Sequence, residues 1–427
     1  MTAMTTTTLR PLGAMETRMA LMHRELHGTN QGCQICRLDG AVPSHAIWAA
    51  AAELFHSYQA LRCAIVEQDG VLHFAEHGKF ARIQILERLL HADGDPDEQR
   101  QHAFEEELNH PLEEISSLWR LMIVRGPAPA DVSLVLTSHH AIVDGLAGFN
   151  LIDDLLKKID RQLGAPRGEP AGDAALDPAI DQFLLPAREQ AGVAPPAAAA
   201  GAAFRQLAPV WARRTRNEYV VLSGEEYAQL QSQASATRQT VNSLLGAALA
   251  SAAVEVGMAT TPVPLKSAVS LRHVAPATAR LGCYIGVADA GLALEQPLDV
   301  VAKDYETQLF VRIGRQCMRR STVRPEALLA TIAQGLESTS FSAGIGLTFP
   351  GTIALSGRFE HFAVRSYDAA ANRVGGNLAV VATVIGFHDQ LTLGLAFVEP
   401  LIERATVAAL GSAVRAILLD YAVMAEA

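Results

Sequence analysis

The segment Ser138-His139-His140-Ala141-Ile142-Val143-Asp144-Gly145 is the part of the sequence on which both fold and chemistry depend. It follows a stretch whose apolar residues alternate at Val132, Leu134 and Leu136, the pattern of a half-buried strand. It precedes an apolar stripe of helical period that begins at Phe149. Loops held by a rigid sheet commonly present catalytic side chains, so we predict a functional site between this strand and this helix.

The residue types in this loop favour general-base catalysis. Adjacent residues that leave a strand point in opposite directions, so His139 and His140 are not expected to share one role. Neutral imidazole, with an unperturbed pKa of about 6.5, accepts a proton from a hydroxyl or amine near neutral pH, as acyl transfer requires. Asp144 follows His140 by four residues, and Gly145 allows a tight turn. A metal fragment and two structural histidines are the alternatives; the sequence indicates no third ligand, so we expect no metal.

The composition predicts a large globular protein. The chain has 427 residues, of which 49% are hydrophobic, and a formal net charge of −10. So acidic a chain is a poor candidate for binding the phosphate backbone, and we expect no nucleic-acid partner. The longest uncharged stretch, Ser338 to Gly357, is rich in Ser, Thr and Gly, so we expect no integral membrane span. With a polar first segment and no apolar signal region, the sequence predicts a cytoplasmic protein.

Two of the five cysteines, Cys33 and Cys36, form a C-x-x-C pair. Such a pair can indicate redox chemistry or half of a zinc site. No second pair of ligands with the required spacing completes a tetrahedral set in the sequence. Because the pair lies in a segment that alternates like a strand, we interpret both residues as reduced and half-buried.

A low-complexity segment, residues 166–203, predicts a linker. It contains Pro195-Pro196 followed by Ala197 to Ala200. It would separate an N-terminal lobe, residues 1–165, from a C-terminal lobe, residues 204–427. Both parts combine helical stripes with antiparallel strand patterns, including a hairpin around His388-Asp389-Gln390. The predicted fold class is therefore α+β.

The pattern His-His-x-x-x-Asp-Gly after a hydrophobic strand resembles the condensation-domain superfamily. That superfamily includes nonribosomal peptide condensation domains, wax-ester synthases and polyketide-associated acyltransferases. Similar segments occur along nearly the whole chain: Arg10-Pro-Leu with Glu16, Tyr58-Gln-Ala-Leu-Arg62, Thr240-Val-Asn-Ser-Leu-Leu, Val269-Ser-Leu-Arg272, Leu281-Gly-Cys-Tyr-Ile-Gly286, and Gly394 to Pro400.

The resemblance implies two chloramphenicol-acetyltransferase-like lobes in a V, with the active site at their interface. It implies that His140 is the base, His139 its structural partner and Asp144 an orienting residue. It places the backbone of Gly145 near the reacting centre. It also implies an ion pair between Asp144 and Arg62, which ends the matching segment after the first long helix.

The resemblance also implies residues that bind the donor or acceptor: Ser270, Arg272, Tyr284, Thr348, Phe349 and Gly351. Two of these segments depart from the family pattern. The family's Ser-Asn-x-Gly appears here as Thr348-Phe349-Pro350-Gly351, and its Asp-Leu-Arg as Ser270-Leu-Arg272. Cys283 stands where Asn is frequent.

The sequence therefore predicts an acyltransferase that moves an acyl group from a thioester to a hydroxyl, forming an ester. An amide-forming condensation enzyme and a non-catalytic module that recruits carrier proteins are the alternatives. We expect no tightly bound cofactor, acyl-CoA or acyl-phosphopantetheine as donor, a carrier protein as a candidate partner, and a monomer. A basic cluster could attract the phosphates of CoA or an acidic carrier, although such runs are usually a solvated helix face. The cluster consists of Arg312, Arg315, Arg319, Arg320 and Arg324.

Overall fold

The computed structural model describes residues 7–77, 83–164, 173–187, 202–276, 280–321, 324–341, 343–353 and 355–423. The chain divides into two compact units, each built from separate stretches of sequence. The first unit consists of Met1–Phe183, Arg272–Tyr284 and Ala354–Asn372. The second consists of Leu184–Leu271, Ile285–Ile353 and Arg373–Ala427.

Strands and helices follow one another along both units. The strands are β1 (Thr7–Pro11), β2 (Gly32–Asp39), β3 (Cys63–Gln68), β4 (Val71–Glu76), β5 (Gln84–Leu89), β6 (Trp119–Arg125), β7 (Asp131–Ser138), β8 (Arg214–Leu222), β9 (Val263–Ser270), β10 (Ile285–Leu292), β11 (Ile345–Thr348), β12 (Ala363–Ala371), β13 (Val381–Phe387) and β14 (Gln390–Glu399). The helices are α1 (Ala14–Glu25), α2 (Ser44–Ser57), α3 (Pro96–Leu108), α4 (Gly145–Leu163), α5 (Gly224–Ala236), α6 (Val241–Glu255), α7 (Leu298–Arg312), α8 (Pro325–Leu336) and α9 (Arg404–Val423).

The first unit is organised around a five-stranded sheet of order β12-β2-β7-β6-β5. Its pairs are antiparallel except β5 with β6, which is parallel. On one face, Phe104 and Leu108 of α3 pack against Cys33 of β2 and Val135 of β7. Helices α2 and α4 pack against each other, and α4 lies over β2, where Gly148 contacts Gln34. A small antiparallel sheet, β1-β4-β3, completes this unit.

The second unit contains a six-stranded mixed sheet of order β10-β9-β11-β13-β14-β8. Strand β11 runs parallel to both of its neighbours, and the other pairs are antiparallel. Helix α9 packs on α5, α6 and β8. Within the described ranges, α9 is the one helix whose length and apolar composition would suffice to cross a membrane, and 44% of its most apolar window is buried in the protein.

The α+β fold class predicted from sequence is confirmed. The alternation of β7 predicts its bounds, Asp131–Ser138, as the structure has them. Thr240 caps α6, as the start of that helical pattern indicates, and its hydroxyl accepts from the Ser243 N–H at 3.1 Å. The predicted hairpin is β13–β14, turned by His388 and Asp389 at positive φ.

The division into units differs from the simple N- and C-terminal cut at residues 166–203. Within that linker range, residues 166–172 and 188–201 lie outside the described residues. The stretch up to Phe183 belongs to the first unit, which also includes Arg272–Tyr284 and Ala354–Asn372. Composition can indicate a linker by its residue types. It cannot show that β12, far along the chain, pairs with β2 in the sheet of the first unit.

The C-x-x-C pair does not form a joint site. Cys33 and Cys36 are three residues apart on strand β2, so their side chains point to opposite faces of the sheet. Both are free and buried. Burial raises the pKa of the Cys33 thiol to about 12, and it raises the pKa of Cys36 further. The redox and zinc alternatives for this pair therefore have no geometric basis.

Candidate active site

The motif loop, His139 to Val143, spans the short gap between the end of β7 and the start of α4. The His139 N–H donates to the Leu118 carbonyl at 2.8 Å, and this hydrogen bond extends the pairing of β6 with β7 by one residue. The Ile142 and Val143 N–H groups then donate to the His139 carbonyl at 3.1 and 3.2 Å, closing a tight turn. The loop is therefore fixed by its own backbone as well as by the sheet.

His139 points into the first unit and is 1% exposed. The Ala141 N–H donates to its Nδ1 at 3.1 Å, so this nitrogen carries the lone pair. The proton of the neutral ring is then on Nε2, which donates to Glu114 Oε1 at 3.0 Å. Both ring nitrogens of His139 are therefore engaged in hydrogen bonds inside the first unit.

Glu114 receives contacts from two further residues, His23 and Arg24 of α1. The Arg24 Nε donates to its Oε2 at 3.2 Å, and His23 Nδ1 lies 3.5 Å from its Oε1. Burial alone would raise the pKa of Glu114, but the hydrogen bond from His139 and the neighbouring charges hold it below its usual range. Burial, followed by the adjacent His139, lowers the pKa of His23 to about 3. Sequence reasoning missed Glu114 and His23, because neither belongs to a motif.

Asp144 is the N-cap of α4 and is 2% exposed. Its Oδ1 accepts from the Ala147 N–H at 2.8 Å, and its Oδ2 accepts from the Tyr284 N–H at 2.9 Å. Arg272 donates to both oxygens, through Nη2 at 2.9 Å and Nε at 3.3 Å. The Asp144 carboxylate thus accepts hydrogen bonds from the first turn of α4, from the backbone N–H of Tyr284 and from the Arg272 guanidinium.

The partner predicted for Asp144 is therefore wrong, because Arg62 lies elsewhere. Arg62 Nε donates to Glu76 Oε1 at 2.6 Å, and its Nη2 donates to Asp173 at 2.8 Å. The reason is the register of the small sheet, in which Cys63 pairs with Glu76 and brings that carboxylate beside Arg62.

The segment Arg272–Tyr284 is fastened to the motif loop by backbone hydrogen bonds. The Gly282 N–H donates to the Ile142 carbonyl at 2.6 Å, and the Asp144 N–H donates to the Gly282 carbonyl at 3.1 Å. Gly282 has φ +118°, and a Cβ there would lie 2.6 Å from the Tyr284 ring, so this position requires glycine. The Tyr284 hydroxyl donates to the Pro178 carbonyl at 2.8 Å, which ties the other end of the segment down.

His140 is the partly exposed histidine of the pair. Its Nδ1 lies 3.9 Å from the sulfur of Cys283, which the fastened segment carries between Gly282 and Tyr284. Burial, together with the charge of Asp144, raises the pKa of the Cys283 thiol well above its usual range, so the thiol stays neutral. Gly145 is exposed, and no heavy atom lies within 4 Å of the place where its Cβ would be.

Comparisons with known proteins found a family model and solved structures to which the chain is similar. Residues 97–290 match the family model of the wax ester synthase/diacylglycerol acyltransferase catalytic domain. The chain is similar to polyketide synthase associated protein 5 from Mycobacterium tuberculosis, with 15% identity, a TM-score of 0.67, and coverage of 97% of this chain and 100% of that one. The matched residues include the motif loop, and the fold of the whole chain is the one that condensation domains and related acyltransferases share.

Two further solved structures share the fold of this chain. One is a trichothecene 15-O-acetyltransferase from Fusarium sporotrichioides, with 13% identity and a TM-score of 0.71 over 97% of this chain and 95% of that one. The other is the starter condensation domain of rhizomide synthetase in complex with C8-CoA, with 14% identity and a TM-score of 0.65 over 99% and 95%. A comparison with curated proteins found no match. The similarity of residues 97–290 is thus to the catalytic domain of an acyltransferase family.

The site residues that the superfamily resemblance implied are divided between the two units. His139, His140, Asp144, Gly145, Arg272 and Tyr284 all belong to the first unit. Ser270, Thr348, Phe349 and Gly351 belong to the second. There, Ser270 ends β9 and Thr348 ends β11, two strands that run parallel side by side. The substrate-binding roles of these four residues remain predictions.

Proposed function

We propose that the protein transfers an acyl group from a CoA or carrier-protein thioester to a hydroxyl, with His140 as the general base. The observation that carries this proposal is the contrast between neighbouring histidines. His139 has both ring nitrogens engaged inside the unit, whereas His140 is partly exposed on a loop that is fixed on both flanks. A rigidly held, accessible imidazole is what proton abstraction from an acceptor requires.

The reaction needs no covalent enzyme intermediate. The acceptor hydroxyl gives its proton to His140 as its oxygen attacks the thioester carbonyl carbon, forming a tetrahedral oxyanion. The carbon–sulfur bond then breaks, the thiolate takes the proton from the imidazolium, and ester and free thiol leave. The first backbone N–H groups of α4 have no acceptor within the helix, and we assign stabilisation of the oxyanion to that of Gly145.

In this proposal Asp144 positions the loop and takes no part in proton transfer. Its two oxygens accept hydrogen bonds from Ala147, Tyr284 and Arg272, so the carboxylate has no free direction toward His140. His139 serves the other flank of the loop through Glu114. Glu114 thus holds the start of the loop through His139, and Asp144 holds its end, while His140 stays partly exposed.

The basic cluster of the second unit supports a phosphate-bearing donor or an acidic carrier. Arg312 ends α7, and Arg315 lies in the π-helical turn Ile313–Cys317 that follows. Phe310, beside them in sequence, is 82% exposed. Converting Arg312 and Arg315 to Glu is expected to raise the KM for the donor at least tenfold, with kcat nearly unchanged. An unchanged KM for CoA and carrier donors alike would remove this cluster from donor binding.

Product analysis tests the proposed function. Purified protein is offered acyl-CoA and acyl-carrier donors with alcohols and amines, and products are identified by mass. His140→Ala is expected to lower kcat by about 10²–10⁴ with an unchanged melting temperature. His91→Ala, at an exposed histidine of the first unit, is the matched control and should retain full activity. Amide products alone would contradict ester formation, and near-native turnover by His140→Ala would contradict the base.

A further inference from the structure

Three side chains of the first unit each bury a hydrogen-bonding atom without a partner among the described residues, and two of these atoms lie on the face of the sheet that α4 covers; the third is the Oγ of Ser133. The two under α4 are the Oε1 of Gln34 on β2 and the hydroxyl of Tyr367 on β12. Gln34 is 5% exposed and Tyr367 is 4% exposed. Buried polar atoms are nearly always hydrogen-bonded, because an unpaired atom gives up its hydrogen bonds to water on folding and forms none in the protein. Two such atoms under the same helix, α4, therefore require an explanation.

The register of the sheet places both side chains on one face. Tyr367 pairs directly with Cys36 of β2, and residues directly opposite each other in an antiparallel pair share a face. Gln34 lies two residues before Cys36 on the same strand, so it shares that face as well. Gln34 and Tyr367 are then diagonal neighbours, with Cα atoms about 7–8 Å apart, within reach of long side chains.

Helix α4 covers both side chains with its first two turns. A Cβ on Gly148 would lie 1.7 Å from Gln34 Nε2, so only glycine at this position leaves room for the Gln34 side-chain amide. The Phe149 ring lies 5.3 Å from that of Tyr367. Gly148 comes one turn after Asp144, the cap that joins α4 to the motif loop. The two groups thus lie beneath the first turns of the helix that begins directly after the motif loop.

The chemistry of the two groups is complementary. The Gln34 Oε1 accepts a hydrogen bond, and the Tyr367 hydroxyl can donate one. Burial, followed by the nearby Cys36 and Asp368, raises the pKa of Tyr367 well above its usual value, so the phenol keeps its proton. A single ligand hydroxyl both donates and accepts, so it could satisfy both groups at once.

We propose that Gln34 and Tyr367 bind a hydroxyl group of one substrate and thereby select a hydroxylated substrate over its unsubstituted analogue. This inference rests on the proposed acyl transfer, because it concerns the substrates of that reaction. The hydroxyl can come from a hydroxyacyl chain on the donor or from a second hydroxyl on the acceptor. A site built to bond a substrate hydroxyl discriminates strongly against the analogue that lacks it, because its buried groups are then left unpaired.

The test compares two matched substrate pairs: octanoyl-CoA with 3-hydroxyoctanoyl-CoA, and 1-octanol with 1,2-octanediol. We expect the wild type to prefer the hydroxylated member of one pair by at least tenfold in kcat/KM. The pair that shows the preference identifies the source of the hydroxyl. Tyr367→Phe and Gln34→Leu should each reduce that preference at least fivefold. Equal kcat/KM values for the members of both pairs would overturn the inference.

Melting temperatures separate ligand binding from a structural role. Tyr367→Phe removes an unpaired buried hydroxyl, so the melting temperature of the free protein should stay the same or rise. Tyr305→Phe is the matched control: that buried phenol is hydrogen-bonded to Ser267 Oγ at 2.5 Å, so its loss should lower the melting temperature without changing substrate preference. If the pair instead holds a structural water, Tyr367→Phe lowers the melting temperature and leaves the preference intact, which refutes the proposal.

Binding measurements keep this inference separate from the proposed function. Calorimetric titration of the same four compounds into the wild type and Tyr367→Phe requires no turnover. A binding preference for the hydroxylated compound that Tyr367→Phe abolishes supports the pair as a hydroxyl site, even if no ester is formed. Equal dissociation constants within both pairs overturn it, even if esters are formed.

Discussion

Removal of the Arg272 guanidinium tests how the motif loop is held. In Arg272→Ala, the Asp144 carboxylate stays buried and keeps its hydrogen bonds from Ala147 and Tyr284, but loses its counter-charge. Breaking a buried ion pair from one side costs about 3–5 kcal/mol. The Arg272 side chain is 17% exposed, so water can enter the space it leaves, and we expect the lower end, about 3 kcal/mol.

This loss of stability is measurable by thermal unfolding. A change of 1 kcal/mol shifts the melting temperature of a domain of 150–250 residues by about 2–4 °C, so Arg272→Ala should lower it by about 6–12 °C. Asp144→Ala removes the helix cap as well, at about 1 kcal/mol. The double variant should be less destabilised than the sum, with a coupling of about 1–3 kcal/mol, because no orphaned charge remains.

The control for this cycle is Arg62→Ala. Arg62 is also buried, but its carboxylate partners are Glu76 and Asp173. Its effect should add to that of Asp144→Ala within about 0.5 kcal/mol, as expected for sites without a shared partner. Additivity between Asp144 and Arg272, or coupling between Asp144 and Arg62, would refute the assignment of the ion pair.

Three further predictions concern the glycines and the buried histidine. Gly282→Ala should lower both the melting temperature and kcat, because its positive φ and the Tyr284 ring leave no room for a Cβ. Gly145→Ala should leave the melting temperature unchanged, since its Cβ meets no atom within 4 Å, while lowering kcat/KM if substrate occupies that space. His23 binds a proton at about pH 6.5 when unfolded but only near pH 3 when folded, so acid favours unfolding. Stability should fall by about 1.4 kcal/mol per pH unit through this group from pH 6 to pH 4 in urea titrations, and His23→Gln should remove that slope.

The sequence identified what is encoded locally. The alternation of β7, the cap of α6 and the two adjacent histidines each depend on residues close together in the chain, and periodicity and residue type were sufficient there. Arg272 was recognised as part of a motif, but its partner was not, because the pair joins residues 128 positions apart. Sequence alone could not decide whether Arg62 or Arg272 pairs with Asp144, because the answer depends on the register of β3 and β4, which brings Glu76 beside Arg62. Glu114 carried no signal at all, since a lone carboxylate in a loop resembles any solvated residue.

The discontinuous make-up of the first unit has a consequence for its biosynthesis. Strand β2 lacks the neighbour β12 until residues Ala363–Ala371 have been made, and Asp144 lacks its cation until Arg272 has left the ribosome. The motif loop therefore cannot reach its final form while only the first 203 residues exist, however early β7 and α4 form. We expect a fragment that stops there to expose the β2 edge and to aggregate or bind chaperones, and residues 204–427 supplied separately to rescue it only by donating two short segments in trans.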